Sequence, residues 1–236
     1  PHHSISYGGL IGGGCPPRPG EVSLAHNGVL FLDEFPEYSR YILDLLRQPI
    51  EDARITLSRS WGSVTYPARF MLVAAMNPCP CGNLGSAASA CRCSPEAIRR
   101  YTGRISGPIM DRIDLRVSVP FQRYSVIAGR GDSEEGLNIR KAVRRARETQ
   151  RLRFTELGAG NLTNASMESR LIEEVCGTTA RGRAILEAAV DRFGLSARTL
   201  TRLLKVSRTI ADIENEEDIS ECHIREALQL RLDGSM

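Results

Sequence analysis

A chain of 236 residues with 42% hydrophobic and 25% charged side chains has enough apolar material for one large core or two modest ones, which excludes a fibrous or disordered protein. The longest apolar run, residues 70–76, falls far short of the roughly 20 residues that span a bilayer, and no charged-then-apolar leader opens the sequence, so a cytoplasmic protein without a membrane partner is expected. A formal net charge of +3 does not by itself argue for nucleic acid; all but Lys141 and Lys205 of the basic residues are arginines, a bias that genome composition alone explains, although arginine's planar fork also suits phosphate and carboxylate.

Residues 1–27 are rich in glycine and proline, which predicts loops and a hairpin and no helix. Pro1 in place of methionine reads as the interior of a longer sequence. Val29-Leu-Phe-Leu32 then runs into Asp33 and Glu34, the pattern of a buried parallel strand that ends at a functional edge. Tyr41, Ile42, Leu45, Leu46 and Ile50 form a helical stripe over residues 38–51. An alternating segment, Arg54 to Arg59, turn residues at 60–63 and a return over 64–66 predict a hairpin closed by Pro67. Phe70 to Met76 is a second buried strand, ending at Asn77-Pro78, and a cysteine-rich loop covers 79–93.

A short helix is expected from Pro95, and Ile113 to Val119 alternates like an edge strand before Pro120. Residues 123–133, with Gly129-Arg-Gly-Asp132, read as a linker. Beyond 134 the pattern is helical: Ile139, Val143, Ala146 and Gln150 share one face, and further helices are expected near 167–176, 180–193, 197–213 and 220–231. The expected organisation is therefore an α/β unit over 1–122, a linker over 123–133 and an all-helical domain over 134–236.

An apolar strand that delivers two acids suits a nucleoside triphosphatase, with Asp33 on Mg²⁺ and Glu34 as general base for water. Taken alone the pattern is weak, because many strand ends are acidic. Asn77, at the tip of the second strand, could position that water, since ligands of open α/β sheets gather at carboxyl ends; an Asn-Pro step is equally a turn former. No Gly-x-x-x-x-Gly-Lys-[Ser/Thr] loop occurs in the chain, and neither Lys141 nor Lys205 sits in one.

Four of seven cysteines cluster as Cys79-Pro-Cys81 and Cys91-Arg-Cys93. Two such pairs closing a short loop could bind Zn²⁺ through four thiolates, with free thiols as the alternative. The lone Cys15, Cys176 and Cys222 read as small core residues. At the hairpin tip, Arg59 and Trp61 could hold a nucleic-acid backbone or stack on a base, or simply finish a structural hairpin. The basic run Arg140, Lys141, Arg144, Arg145, Arg147 and Arg151 reads as a solvated helix face.

Pro1-His-His-Ser4, Arg18-Pro-Gly-Glu-Val-Ser-Leu-Ala-His-Asn-Gly-Val-Leu-Phe-Leu-Asp-Glu34, Asn77-Pro-Cys-Pro-Cys-Gly82, Ile105-Ser-Gly-Pro-Ile-Met-Asp-Arg-Ile-Asp-Leu115 and Leu195-Ser-Ala-Arg-Thr-Leu-Thr-Arg-Leu-Leu-Lys-Val-Ser-Arg-Thr-Ile-Ala-Asp212 together resemble the magnesium-chelatase-like AAA+ proteins of the ComM/YifB type. The resemblance implies a partial AAA+ P-loop NTPase core, a parallel sheet with inserted hairpins, followed by a helical lid. It places Asp33 and Glu34 on the Walker B pair, Asn77 on sensor 1, Arg112 on the arginine finger and Arg198 on sensor 2, with ATP and Mg²⁺ as cofactors. A finger acting on a neighbour's γ-phosphate requires a ring, implied to be a homohexamer. Without the resemblance, Arg112 between Asp111 and Asp114 reads as a local ion pair.

Members of that family begin with a Lon-protease-like domain followed by the phosphate loop, both of which would precede Pro1, so this chain alone is expected to hydrolyse ATP at background level. The ComM type is associated with branch migration of DNA during natural transformation, while chelatase and MoxR relatives remodel protein partners. A non-enzymatic zinc module is the third reading.

Overall fold

The computed structural model describes residues 1–59, 62–86, 89–120 and 134–232, and the chain separates into two compact units, 1–113 and 114–236. The expected linker, 123–133, lies outside the described residues. No helix of the described residues is long and apolar enough to cross a membrane.

In the first unit the glycine-rich opening holds more regular structure than its composition predicts. One helical turn, α1 (Tyr7–Leu10), starts at Ser6, whose hydroxyl accepts from the Gly9 N–H at 3.2 Å. The short strands β1 (Gly12–Gly13) and β2 (Arg18–Pro19) form the expected hairpin, and a second turn, α2 (Glu21–Leu24), follows Gly20. The expectation of no helix is thus corrected. A single turn needs little more than a cap and an apolar anchor, here the fully buried Leu10 and Val22. Gly20 has no room for a side chain, because a Cβ there would meet the Gly12 nitrogen and the Leu10 carbonyl at 2.5 Å.

The strand β3 (Val29–Leu32) runs parallel to a later one, with Val29 opposite Met71 and Leu32 opposite Ala74. It is not buried on both faces, as the run of four apolar residues predicts. Leu30 and Leu32 enter the core, whereas Val29 and Phe31 are each 51% exposed, so among the described residues layers cover one face of the pair. The expected helix over 38–51 is two helices, α3 (Arg40–Leu45) and α4 (Arg47–Asp52), parted at Leu46. Pro49 accounts for the break, since it has no N–H to give the Leu45 carbonyl and its ring crowds that oxygen.

Strands β4 (Arg54–Arg59) and β5 (Gly62–Pro67) form the expected antiparallel hairpin, with Ile55 and Leu57 turned into the core and Thr56 and Thr65 joined by their hydroxyls at 3.1 Å. β6 (Met71–Ala74) completes the parallel pair. Helix α5 (Pro95–Thr102) begins as expected, with Pro95 in the first turn and the Ser94 hydroxyl accepting from the Ala97 N–H. A single turn, α6 (Gly107–Met110), follows, and Ile109 is fully buried with Phe35, Tyr38, Leu43 and Leu46 in one core.

The alternating segment 113–119 forms no strand. Instead the Arg116 N–H donates to the Leu230 carbonyl at 2.6 Å and Asp114 pairs with Arg202 at 2.7 Å. Leu115, Val117 and Val119 remain 48%, 69% and 81% exposed. Alternation fits a residue set to a pleat, but a ladder also needs a neighbouring strand whose backbone groups are free.

The second unit is helical: α7 (Glu134–Glu156), α8 (Ile172–Val175), α9 (Ala180–Phe193), α10 (Ala197–Glu214) and α11 (Glu221–Leu232). The boundaries follow from chemistry. Thr179 and Ser196 cap the starts of α9 and α10, and Gly194 and Asn215 end them in the left-handed conformation. Phe154, Met167, Leu203, Ile219 and Ile224 fill the core. On α7 only the later part of the predicted apolar face is buried, at Ala146 and Gln150, while Ile139 and Val143 are 58% and 49% exposed. Its arginine-rich face is solvated.

Asp212 sits at the centre of this unit with no side-chain exposure. It accepts from Arg153 at 2.5 and 3.0 Å, from Arg208 Nε at 3.1 Å and from Asn164 Nδ2 at 2.7 Å. Arg208 spends its remaining donors on the Glu216 and Glu217 carbonyls just past the end of α10. Cys176 is buried as expected, whereas Cys15 and Cys222 are exposed, correcting the reading of all three as core residues.

Candidate functional site

The β3–β6 ladder continues past the strands proper. The Ala75 N–H donates to Leu32 and the Phe35 N–H donates back to Ala75, each at 2.9 Å. Asp33 and Glu34 therefore leave one strand tip within the reach of this last rung, and Asn77 leaves the other two residues beyond it. All three side chains are exposed, so none is lost to the core.

Backbone geometry turns the two acids out of the strand. Asp33 Oδ1 accepts from the Glu34 N–H at 2.9 Å, and Glu34 lies in the left-handed region at φ 50°, ψ 45°. A non-glycine residue there costs on the order of 1–3 kcal/mol, which surrounding structure must offset. The turn Phe35–Glu37, with Phe35 and Tyr38 almost fully buried, supplies that anchorage.

Glu34 Oε2 lies 3.0 Å from His3 Nδ1. Burial, with the charges of Asp33 and Glu34, pushes the Tyr38 phenol above its ordinary range. Its hydroxyl donates to the Pro1 carbonyl. Asn77 is exposed, and the buried Tyr101, whose phenol is raised by burial and by Glu37, meets its backbone.

Arg112 is placed differently from the acids. Its side chain is 9% exposed, pairs with Glu51 through Nη2 and donates from Nη1 to the Pro108 carbonyl at 2.6 Å. Arg198 is an exposed residue in the first turn of α10, in the second unit. At the hairpin, the Arg59 backbone faces Gly62 across the ladder; Trp61 lies outside the described residues.

The four clustered cysteines meet in space, their sulfurs all within 4.8 Å of one another. Cys79 and Cys81 are 3.4 Å apart, and Cys91 is 3.7 Å from both. A tetrahedral ion with Zn–S bonds of about 2.3 Å requires sulfurs about 3.8 Å apart, so the donor set fits zinc. Backbone N–H groups of Arg92 and Asn83 and the Cys79 thiol favour the thiolate of Cys81, drawing it down to about 6. Against the pull of the Cys81 backbone, the adjoining Cys81 sulfur and desolvation push Cys93 up to about 12. Sulfurs this close resist carrying four charges together unless a cation sits among them.

His3 and Tyr38 beside Glu34, Tyr101 beside Asn77 and Glu51 beside Arg112 have no sequence pattern that marks them. The only signal was the segment Pro1-His-His-Ser4, which resembles the family without indicating a role.

Comparison with known proteins bears on the whole arrangement. The family described as magnesium chelatase, subunit ChlI, matches residues 1–127, and the ChlI C-terminal family matches 133–231. The chain is 46% identical to the competence protein ComM of Haemophilus influenzae and 45% identical to YifB of Salmonella typhimurium, each over 98% of this chain and 44% of the relative. Magnesium-chelatase subunit ChlI of Mesostigma viride is 22% identical over 67% of this chain and 40% of its own length. The chain spans less than half the length of these relatives. With the acid-bearing strand tip, its parallel neighbour and the helical unit matched in one continuous alignment, this chain belongs to the magnesium-chelatase family of AAA+ proteins, in its ComM/YifB group.

Proposed function

We propose that this chain supplies the hydrolytic half of the nucleotide site of an ATP-driven AAA+ motor that works on DNA in the cytoplasm. The observation that carries the reading is the pair of parallel strand tips with Asp33, Glu34 and Asn77 all exposed. Asp33 holds Mg²⁺, Glu34 takes the proton of the attacking water and Asn77 orients it from the adjacent tip. When bound, the metal offsets charge on the phosphates. The phosphate-binding loop, which this chain lacks, is supplied by another segment.

Arg112 is the residue offered to a neighbouring copy in a ring, taken to be a hexamer, and must first exchange its Glu51 partner. Arg198 brings positive charge from the helical unit, which acts as the lid. DNA is favoured by the name of the relative ComM, a competence protein, and by the β4–β5 hairpin, whose sequence carries Arg59 and Trp61 where it reverses. Resemblance to a chelatase subunit supports the other reading, a remodeller of protein partners.

ATP turnover by the full-length protein, measured with and without forked or single-stranded DNA, separates the two. Stimulation that disappears in an Arg59→Ala, Trp61→Ala variant is expected. Turnover indifferent to DNA would end the DNA reading.

The cysteine cluster serves as a structural zinc site that closes the loop beside Asn77. Protein purified without chelator should carry a single zinc ion per chain, lost in a Cys81→Ser, Cys91→Ser variant. Elemental analysis checks this; folded, metal-free wild type with all four clustered thiols titratable would refute it.

A further inference from the structure

We propose that His3 is the positioning residue for Glu34, an inference that rests on the reading of Glu34 as the general base. The backbone of Glu34 is well fixed: its N–H is bonded to Asp33 and its carbonyl accepts from Glu37 at 2.7 Å. Its carboxylate is not fixed by the fold, being 55% exposed on a flexible stem. A base left to sample rotamers is seldom aimed at its water, and a misplacement of about 1 Å can cost on the order of 10²-fold in rate. His3 supplies the missing restraint, with Nδ1 3.0 Å from Oε2.

The imidazole is itself held. Its ring meets Tyr38 edge-on at 6.4 Å and lies 4.0 Å from the His2 ring. Tyr38 is 2% exposed and binds the Pro1 carbonyl through its hydroxyl, so a core side chain fixes both the ring and the backbone leading to it. His2 is pinned in turn by Ser4 Oγ at 2.8 Å and by the Ile5 N–H, which donates to its carbonyl at 3.0 Å. The arrangement is that of a base oriented by a third group. An ionised carboxylate has no proton to give, so the contact requires the proton on His3 Nδ1. With Oε2 engaged, Oε1 is presented to water.

Two measurements test this. In the full-length protein, His3→Ala should lower kcat for ATP roughly 10- to 100-fold with KM little changed. His3→Asn, whose amide nitrogen sits where Nδ1 does, should recover part of that loss, and His3→Gln, which reaches too far, should not. Independently of turnover, ¹⁵N spectra of histidine-labelled chain should show the Nδ1–H tautomer at His3, replaced by Nε2–H in Glu34→Ala. A rise in turnover on His3→Ala would mean that the histidine restrains the base rather than aims it, and overturns the proposal. Unchanged turnover, equal losses in the Asn and Gln variants, or an Nε2–H tautomer in wild type would also overturn it. If Glu34→Gln keeps full turnover, the base reading itself fails and His3 loses this role, even where the tautomer confirms the contact.

Discussion

Replacing Glu34 with glutamine should lower the ATP turnover of the full-length protein about 10²- to 10⁴-fold while nucleotide still binds. Glutamine keeps the size of the side chain and an oxygen that can accept from His3 at the observed 3.0 Å contact, so the strand tip should stay as it is. What it removes is the ability to take a proton from water at neutral pH. Asp33→Asn should behave differently, because loss of its charge weakens the hold on Mg²⁺ and therefore the affinity for the metal–nucleotide complex. Steady-state turnover together with titration of a fluorescent nucleotide separates these effects. A Glu34→Gln protein with more than about a tenth of normal turnover would remove the glutamate from the chemistry, that being below the range expected for a general base.

Patterns of consecutive residues explain what was readable beforehand. Val29 to Leu32 before two acids, the run 70–76 before Asn77, and Cys79-x-Cys81 paired with Cys91-x-Cys93 each carry their signal within a few positions. The structure adds the parallel register and the meeting of the sulfurs. Periodicity read α9 and α10 closely because threonine and serine caps and left-handed C-terminal residues mark their ends. It misread 38–51, where the apolar stripe is continuous across Leu46 but Pro49 interrupts the hydrogen-bond ladder.

It also misread 113–119, where alternation exists and the Arg116 N–H is taken by the Leu230 carbonyl. Contacts between distant segments left no local trace. His3 with Glu34, Glu51 with Arg112 and Arg153 with Asp212 are each joined by folding rather than by spacing. Lone cysteines have no neighbours to set their burial, which is why Cys15 and Cys222 were misplaced.

Asp212→Ala should destabilise the helical unit by about 3–5 kcal/mol, the cost of leaving buried guanidinium groups without their counter-charge. Arg208 is 1% exposed and Arg153 21%, and both converge on this one carboxylate. Against a total stability of roughly 5–15 kcal/mol, such a loss should bring the unit close to unfolding at growth temperature. Because the network is buried, the deficit should persist in high salt, whereas the exposed pair Arg151–Glu148 should change stability little when removed and be sensitive to salt. Urea denaturation followed by circular dichroism measures both, and an Asp212→Ala protein no weaker than Arg151→Ala would show that the network is not the anchor of the unit.

The same helix, α10, begins beside Arg198 and carries Asp212 near its end. Loosening that end should therefore reduce the precision with which Arg198 is held. Below its unfolding transition, Asp212→Ala should weaken nucleotide affinity in the full-length protein in the same direction as Arg198→Ala, and a double variant should lose less than the sum of the two. Fully additive losses would separate the buried carboxylate from the arginine and confine its role to stability.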